Sequence, residues 1–87
     1  MNNKVLVNIY VPSIDKSYDL FIPVNEVIWK ITKLCIKSIS VIENIELSIK
    51  DNYVLINKTT SKVYGVNEIV IETDIRNETE LILIKIK

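Results

Sequence analysis

The sequence predicts an α+β fold in which one amphipathic helix lies across one face of a mixed sheet of four or five strands. Three observations carry that expectation. A stretch with a two-residue period and β-branched side chains opens the chain at 4–11, and a run of Leu and Ile without Gly or Pro closes it at 79–87. One stretch, 25–39, keeps helical spacing instead. The 87 residues leave room for one hydrophobic core, so 1–87 reads as a single domain.

The first strand is Lys4–Val11, with Val5, Val7, Ile9 and Val11 on the core face and Leu6, Asn8 and Tyr10 on the other. Pro12 cannot donate to a ladder, and the polar residues after it turn the chain. Ser17–Ile22 returns as a second strand, Tyr18, Leu20 and Ile22 inward and Asp19 and Phe21 outward, which makes a hairpin. Pro23 ends it. Asn25 then reads as the N-cap of the helix, and Glu26 puts negative charge in its first turn. The expected buried stripe is Val27/Ile28, Ile31, Leu34/Cys35 and Ser38/Ile39. Lys30, Lys33 and Lys37 take the opposite side, with Glu26 and Lys30 an i,i+4 pair. β-Branched residues are mediocre helix formers, so packing must hold this helix.

Segment 41–52 is ambiguous, either a loop with a short helical turn or a strand at 46–50. Tyr53–Asn57 is a strand, 58–61 a turn and Lys62–Tyr64 a short return strand, closed by Gly65 at an expected positive φ. A loop over 66–76 should pin itself with Ile69, Ile71 and Ile75. After a turn at Asn77-Glu78 the final strand runs through Leu81, Ile82, Leu83, Ile84 and Ile86, apolar on both faces. Leu81 and Leu83 should meet the helix at Ile28, Ile31 and Leu34, while Ile82, Ile84 and Ile86 look outward. A strand–strand–helix–strand–short strand–strand order, with a long crossover through the helix, places the first and last strands side by side and parallel. That is the β-grasp arrangement.

Composition excludes more than it suggests. Lys plus Arg and Asp plus Glu both total 11, so net charge is zero, and neither nucleic acid nor an anionic surface is an expected partner. Histidine, the usual general base and transition-metal ligand, does not occur. The one cysteine, Cys35, allows no internal disulfide and lies on the apolar stripe, so it reads as a small packed hydrophobe. Glu72, Asp74, Glu78 and Glu80 lack the spacing and central glycine of a Ca²⁺ loop. The Asn57-Lys-Thr59 and Asn77-Glu-Thr79 triplets match a glycosylation acceptor only in pattern. The Lys30/Lys33/Lys37 stripe could meet acidic lipid or an acidic partner, and reads first as solvation. No signal peptide or bilayer-length apolar run is present, so the expected location is the cytoplasm, with no direct membrane insertion. No catalytic residue, cofactor or metal site is expected.

Apolar surface is what remains. One helix cannot cover both faces of a sheet, and the outer face collects Leu6, Tyr10, Phe21, Val54, Ile56, Ile82 and Ile84. An outward patch of this kind marks a partner-binding or homodimer surface. Trp29 and Ile36, a heptad apart and off the main stripe, form a secondary candidate.

The close of the chain, Asp74-Ile-Arg-Asn-Glu-Thr-Glu-Leu-Ile-Leu83, resembles the end of ubiquitin-like domains. The Tyr18–Pro23 run YDLFIP and the Tyr53-Val-Leu55 strand are similar to the YukD/EsaB family, small ubiquitin-like accessory proteins of bacterial type VII (WXG100) secretion systems. That resemblance implies a cytoplasmic accessory or regulatory protein that contacts secretion components and is not an enzyme. It also implies use of the outer sheet face. An alternative is an interaction module of another bacterial system, or a degenerate sulfur carrier. Conjugation and sulfur transfer use a terminal Gly-Gly, whereas this sequence closes on Lys85-Ile86-Lys87, so neither is expected. The family's turn before the last strand often carries a glycine that Asn77-Glu78-Thr79 lacks.

Overall fold

The computed structural model describes residues 3–47 and 52–86. Four strands form one mixed sheet: β1 (Lys4–Val11), β2 (Lys16–Pro23), β3 (Asn52–Asn57) and β4 (Glu80–Ile86), in the order β2-β1-β4-β3. β1 and β4 pair in parallel at the centre, with Asn8 opposite Glu80, Ile9 opposite Leu81 and Tyr10 opposite Ile82. β2 and β3 flank them antiparallel. One helix, α1 (Ile28–Glu43), packs on the inner face. This is the expected β-grasp topology. The return strand at 62–64 shrinks to a single bridge, Val63 opposite Ile56.

Side-chain parity follows the two-residue period. Val7, Ile9, Val11, Ile22, Leu55, Leu81 and Leu83 are buried under the helix, and their neighbours in sequence face outward. The helix departs from expectation at both ends. It begins at Ile28, not Asn25, because Val24–Val27 is held as extended chain against 69–71. Val70 N–H donates to Glu26 O at 3.0 Å, and Ile71 N–H donates to Val24 O at 2.8 Å. The first helical N–H groups are then met by backbone carbonyls from the same loop. Ile28 N–H reaches Glu68 O at 2.8 Å and Trp29 N–H reaches Val66 O at 3.1 Å, so no side-chain cap is used. Glu26 lies outside the helix yet still pairs with Lys30 at 3.7 Å. At the other end the helix runs four residues past 39 and stops at Asn44, whose left-handed φ of 54° bends the chain away. Residues 45–47 follow without regular structure, and the rest of the ambiguous 46–50 stretch lies outside the described residues.

The buried stripe is Ile28, Ile31, Thr32, Cys35, Ile36 and Ile39. Its centre is rotated from the expected one. Leu34 is 40% exposed and cannot meet Leu81 or Leu83, whereas Ile36 is buried at 2% and drops out as a surface candidate. In the loop, Val70 and Ile75 enter the core, Ile69 is half-buried, and Ile71 points to solvent. Thr32 and Thr73 are buried with their hydroxyls donated to Trp29 O and Val70 O.

Gly65 does not supply a positive φ. That conformation falls to Asp15, Asn44, Ser61 and Glu78. At Glu78, with φ 69° and no short polar side chain to ease the conformation, a left-handed residue with a Cβ gives up about 1–2 kcal/mol. The turn is held by its hydrogen bonds to β1. Glu78 N–H donates to Leu6 O at 2.6 Å, and Leu6 N–H donates to Asn77 Oδ1 at 2.9 Å. Glu78→Gly should keep these backbone bonds and relieve the strain, raising unfolding stability by about 1 kcal/mol. Urea denaturation reads this directly; an unchanged or lower midpoint would show that the turn carries no such strain.

Candidate functional site

The groups with reactive potential are occupied structurally. Cys35 is fully buried, and burial pushes its thiol up to about 12, so the thiolate is suppressed in the folded protein. Among the described residues no three His, Cys, Asp or Glu side chains gather to hold a metal. Asp74 accepts from the Tyr64 hydroxyl, which in turn accepts from Asn57 Nδ2 at 3.1 Å. Burial, then the bond to Asp74, raises the Tyr64 phenol to about 12. Asn57 Oδ1 also receives the N–H groups of Thr59 and Thr60 at 2.9 and 3.1 Å, which builds the turn after β3. Asn57 is thus a buried turn-former, and its triplet offers no free amide for glycosylation.

A second polar tie joins α1 to the start of β2. Glu43 accepts from Lys16 Nζ at 2.8 Å and from the Tyr18 hydroxyl at 2.7 Å. A carboxylate in the last helical turn opposes the helix dipole, and these two donors offset that. The Lys16 bond first, then the Tyr18 bond, holds the Glu43 carboxyl below its ordinary value of 4.5. Burial, then the bond to Glu43, raises the Tyr18 phenol to about 12.

The outer face of the sheet is the surface the fold leaves uncovered. Leu6, Tyr10, Phe21, Val54, Ile56, Ile82 and Ile84 all lie on it, as parity demands. Phe21 is 60% exposed and the other six are half-buried. The register divides them. Leu6 stands opposite Phe21 at one end. Tyr10 opposite Ile82, Ile82 opposite Ile56, and Ile84 opposite Val54 form a second cluster at the other. Between them runs a polar row of Asp19, Asn8 and Glu80, with Asn8 Nδ2 donating to Asp19 Oδ1 at 3.0 Å. The expected single patch is therefore two. The larger cluster gains Val63, which bridges Ile56 on the same face and is 55% exposed. Its rim is shielded where Lys58 Nζ sits 5.8 Å from the Tyr10 ring and the Tyr10 hydroxyl donates to Asp15 at 2.7 Å. That bond to Asp15, more than burial, raises the Tyr10 phenol.

On the helix, Trp29 is 40% exposed and flanked by Lys30 and Lys33, with ammonium groups 5.6 and 5.2 Å from its ring. Ile36 is not beside it on the surface. Val41, Ile42 and Ile45 are exposed at the helix end. The sequence signal for them was the helical spacing that continues beyond Ile39, masked by the ambiguity of 41–52. No helix among the described residues is long and apolar enough to cross a membrane.

Comparison with solved structures decides the fold. The chain superimposes on the EccD5 ubiquitin-like domain from Mycobacterium xenopi with a TM-score of 0.78, at 13% identity, covering 99% of this chain and 98% of that one. The fold is ubiquitin-like. A chain of the MycP5-free ESX-5 inner membrane complex matches at TM-score 0.79 and 12% identity over 98% of this protein, which spans only 21% of that chain. The ubiquitin-like domain of Plasmodium falciparum Dsk2 matches at 0.70 and 14% identity, over 95% and 99% of the two chains. No family model matches, and no curated protein matches by sequence. Identities this low establish the fold and leave the activity to the surface.

Two outcomes follow from these environments. Cys35 should resist a thiol-specific disulfide reagent in the native protein and react fully in denaturant; fast native labelling would contradict its burial. Glu43 stabilises the fold fully above its ordinary value of 4.5, and that contribution fades as pH falls through its lower folded value. The thermal midpoint of Glu43→Gln should therefore fall less steeply on acidification than that of the wild type. Equal slopes would deny the Lys16–Glu43–Tyr18 tie its role.

Proposed function

We propose that this protein is a non-catalytic ubiquitin-like accessory or regulatory component of a type VII-like secretion system, of the YukD/EsaB kind. It acts in the cytoplasm, as one domain, by contact with protein components of the machinery. The likeness to the EccD5 domain over nearly the full length of both chains carries the reading, because that domain and the ESX-5 inner membrane complex belong to secretion assemblies. The closed chemistry of the interior supports contact over catalysis: the one thiol is buried and suppressed, and the buried phenol of Tyr64 is committed to structural bonds. The contact surface in this reading is the Tyr10–Ile82–Ile56–Ile84–Val54 cluster, with Leu6 and Phe21 as a separate, smaller contact. Interfaces of this kind depend on a few apolar anchors at their centre, and Ile82 lies at the centre of the larger cluster, opposite both Tyr10 and Ile56.

The test is affinity capture by the tagged full chain from bacteria that carry a type VII system, with mass spectrometry of the captured membrane components. The wild type should retain the system's membrane ATPase or channel proteins. Ile82→Glu, half-buried on a solvent face and so able to fold, should keep its circular dichroism spectrum and reduce capture by at least about tenfold. Capture of none of these components by the wild type would overturn the secretion assignment. Undiminished capture by folded Ile82→Glu would move the contact off this face. Sedimentation of both forms shows whether the same face also joins two copies.

A further inference from the structure

We propose that the solvent side of α1 is a peripheral contact for an anionic bilayer surface, a site separate from the outer face of the sheet and independent of the secretion reading. The zero net charge of the chain hides an uneven distribution. The charged residues within α1 are Lys30, Lys33, Lys37 and Glu43. Glu43 is drawn to the β2 flank by Lys16 and the Tyr18 hydroxyl, which leaves the solvent side of the helix to the three lysines. Lys33 and Lys37 make no ion pair among the described residues, and Lys30 has only the 3.7 Å contact to Glu26. Glu46 borders Lys37 beyond the helix end, and neither acid lies on the helix itself.

Apolar side chains share this side. Lys30, Leu34, Lys37 and Val41 recur at i, i+4, i+7 and i+11, so they stand in one row along the helix. All four are exposed, and Val41, at 81%, is the most exposed of the large apolar residues. Val41 and Ile45 line a shared hollow with Lys37 at the C-terminal end. At the other end the Trp29 ring lies beside the ammonium groups of Lys30 and Lys33. Exposed Val66 adjoins it, since Trp29 N–H donates to Val66 O. An aromatic ring and an aliphatic cluster thus bracket the lysines, about 18 Å apart along the axis. The opposite stripe, from Ile28 to Ile39, stays locked on the sheet, so the contact is peripheral and involves no insertion.

The alternation of charge and apolar surface along one row selects the occupant. A protein segment laid on it would bury Lys30 and Lys37 between Leu34 and Val41, and a buried ammonium without a partner is costly. An acidic protein could pair with them only by placing carboxylates and apolar side chains in register with this row. A headgroup layer needs no register. Lysine stems lie along the apolar side chains while their ammonium ends reach lipid phosphates, and an indole suits the same boundary. A second copy of the chain is a poorer fit, because it would set this basic row against an identical one. Three lysines make the surface anionic by preference, since each adds attraction only where the lipid carries negative charge.

Trp29 is the one tryptophan, so its fluorescence reports this site alone. The full chain is titrated with vesicles of phosphatidylglycerol and phosphatidylcholine in equal parts, and with vesicles of phosphatidylcholine alone, read by co-sedimentation and Trp29 emission. The anionic vesicles should bind at least about tenfold more tightly than the neutral ones. Binding should move Trp29 emission to shorter wavelength and shield it from acrylamide, and about 0.5 M salt should release it. Lys37→Glu should weaken binding at least about fivefold. Val41→Glu should weaken it as much, and both variants should keep the circular dichroism spectrum because both side chains are exposed. Lys58→Glu, the same charge change at the rim of the outer sheet face, and Ile82→Glu should stay within about twofold of the wild type. The proposal is overturned by equal binding to the two vesicles, by co-sedimentation with Trp29 emission unchanged, or by a Lys58→Glu loss as large as that of Lys37→Glu. It is also overturned by no binding to anionic vesicles at about millimolar lipid. If Val41→Glu then lost a captured protein that Ile82→Glu kept, the occupant of this row would be that protein.

Discussion

The parallel pairing of β1 with β4 is the interaction on which the rest of the molecule depends. Nearly the whole chain separates the two strands, yet Ile9 lies opposite Leu81 and Tyr10 opposite Ile82 at the centre of the sheet. Closing so long a loop costs entropy that local contacts cannot recover. What recovers it is burial, since Val7, Ile9 and Val11 from one strand and Leu81 and Leu83 from the other form the middle of a single core. Parallel strands cannot be joined by a tight turn, so the chain must cross over, and α1 is the crossover. Its position on one face follows from that topology, and so does the bareness of the other.

This constraint assigns work to the loop after β3. Residues 66–71 pair with the extended stretch 24–27 and hand their carbonyls to the first turn of α1. The helix is thereby capped by the backbone of 66–68, remote in sequence, instead of by its own side chains. The same region buries Val70 and Ile75 and anchors Tyr64 between Asn57 and Asp74. Among the described residues no buried side-chain polar atom is left without a partner. The interior is a satisfied scaffold, and the chemistry available to a partner lies in charged and apolar surface.

Much of this was readable from residue order. Alternation placed each of Leu6, Tyr10, Phe21, Val54, Ile56, Ile82 and Ile84 on the outer face, because in a strand the face of a side chain is a local property. The polar row that divides them was not readable. It requires knowing that Asn8 meets both Asp19 and Glu80, a matter of register between strands far apart in sequence. The helix was harder. Leu34 and Ile36 are both apolar and two residues apart, and spacing alone allows either to belong to the stripe. The sheet decided for Ile36, and left Leu34 on the solvent side of the helix. Trp29 and Ile36 share a helical face by period, but the first helical turn lies against the 66–68 backbone while Ile36 lies over the sheet.

The sequence by itself determined the order of the major elements, the inward and outward faces of the strands, the parallel central pair, and the absence of histidine and of an internal disulfide. These follow from residue type, short-range period and the order of the elements along the chain. Tertiary structure alone decided where the helix starts, which stretches of apolar surface adjoin, and which residues bear left-handed backbone. Gly65 was the natural choice for that last role, yet Asp15, Asn44, Ser61 and Glu78 carry it. At Glu78 the reason is visible: hydrogen bonds between Leu6 and the Asn77-Glu78 turn fix the chain where β4 must enter beside β1, and the backbone accepts the strain to keep that entry.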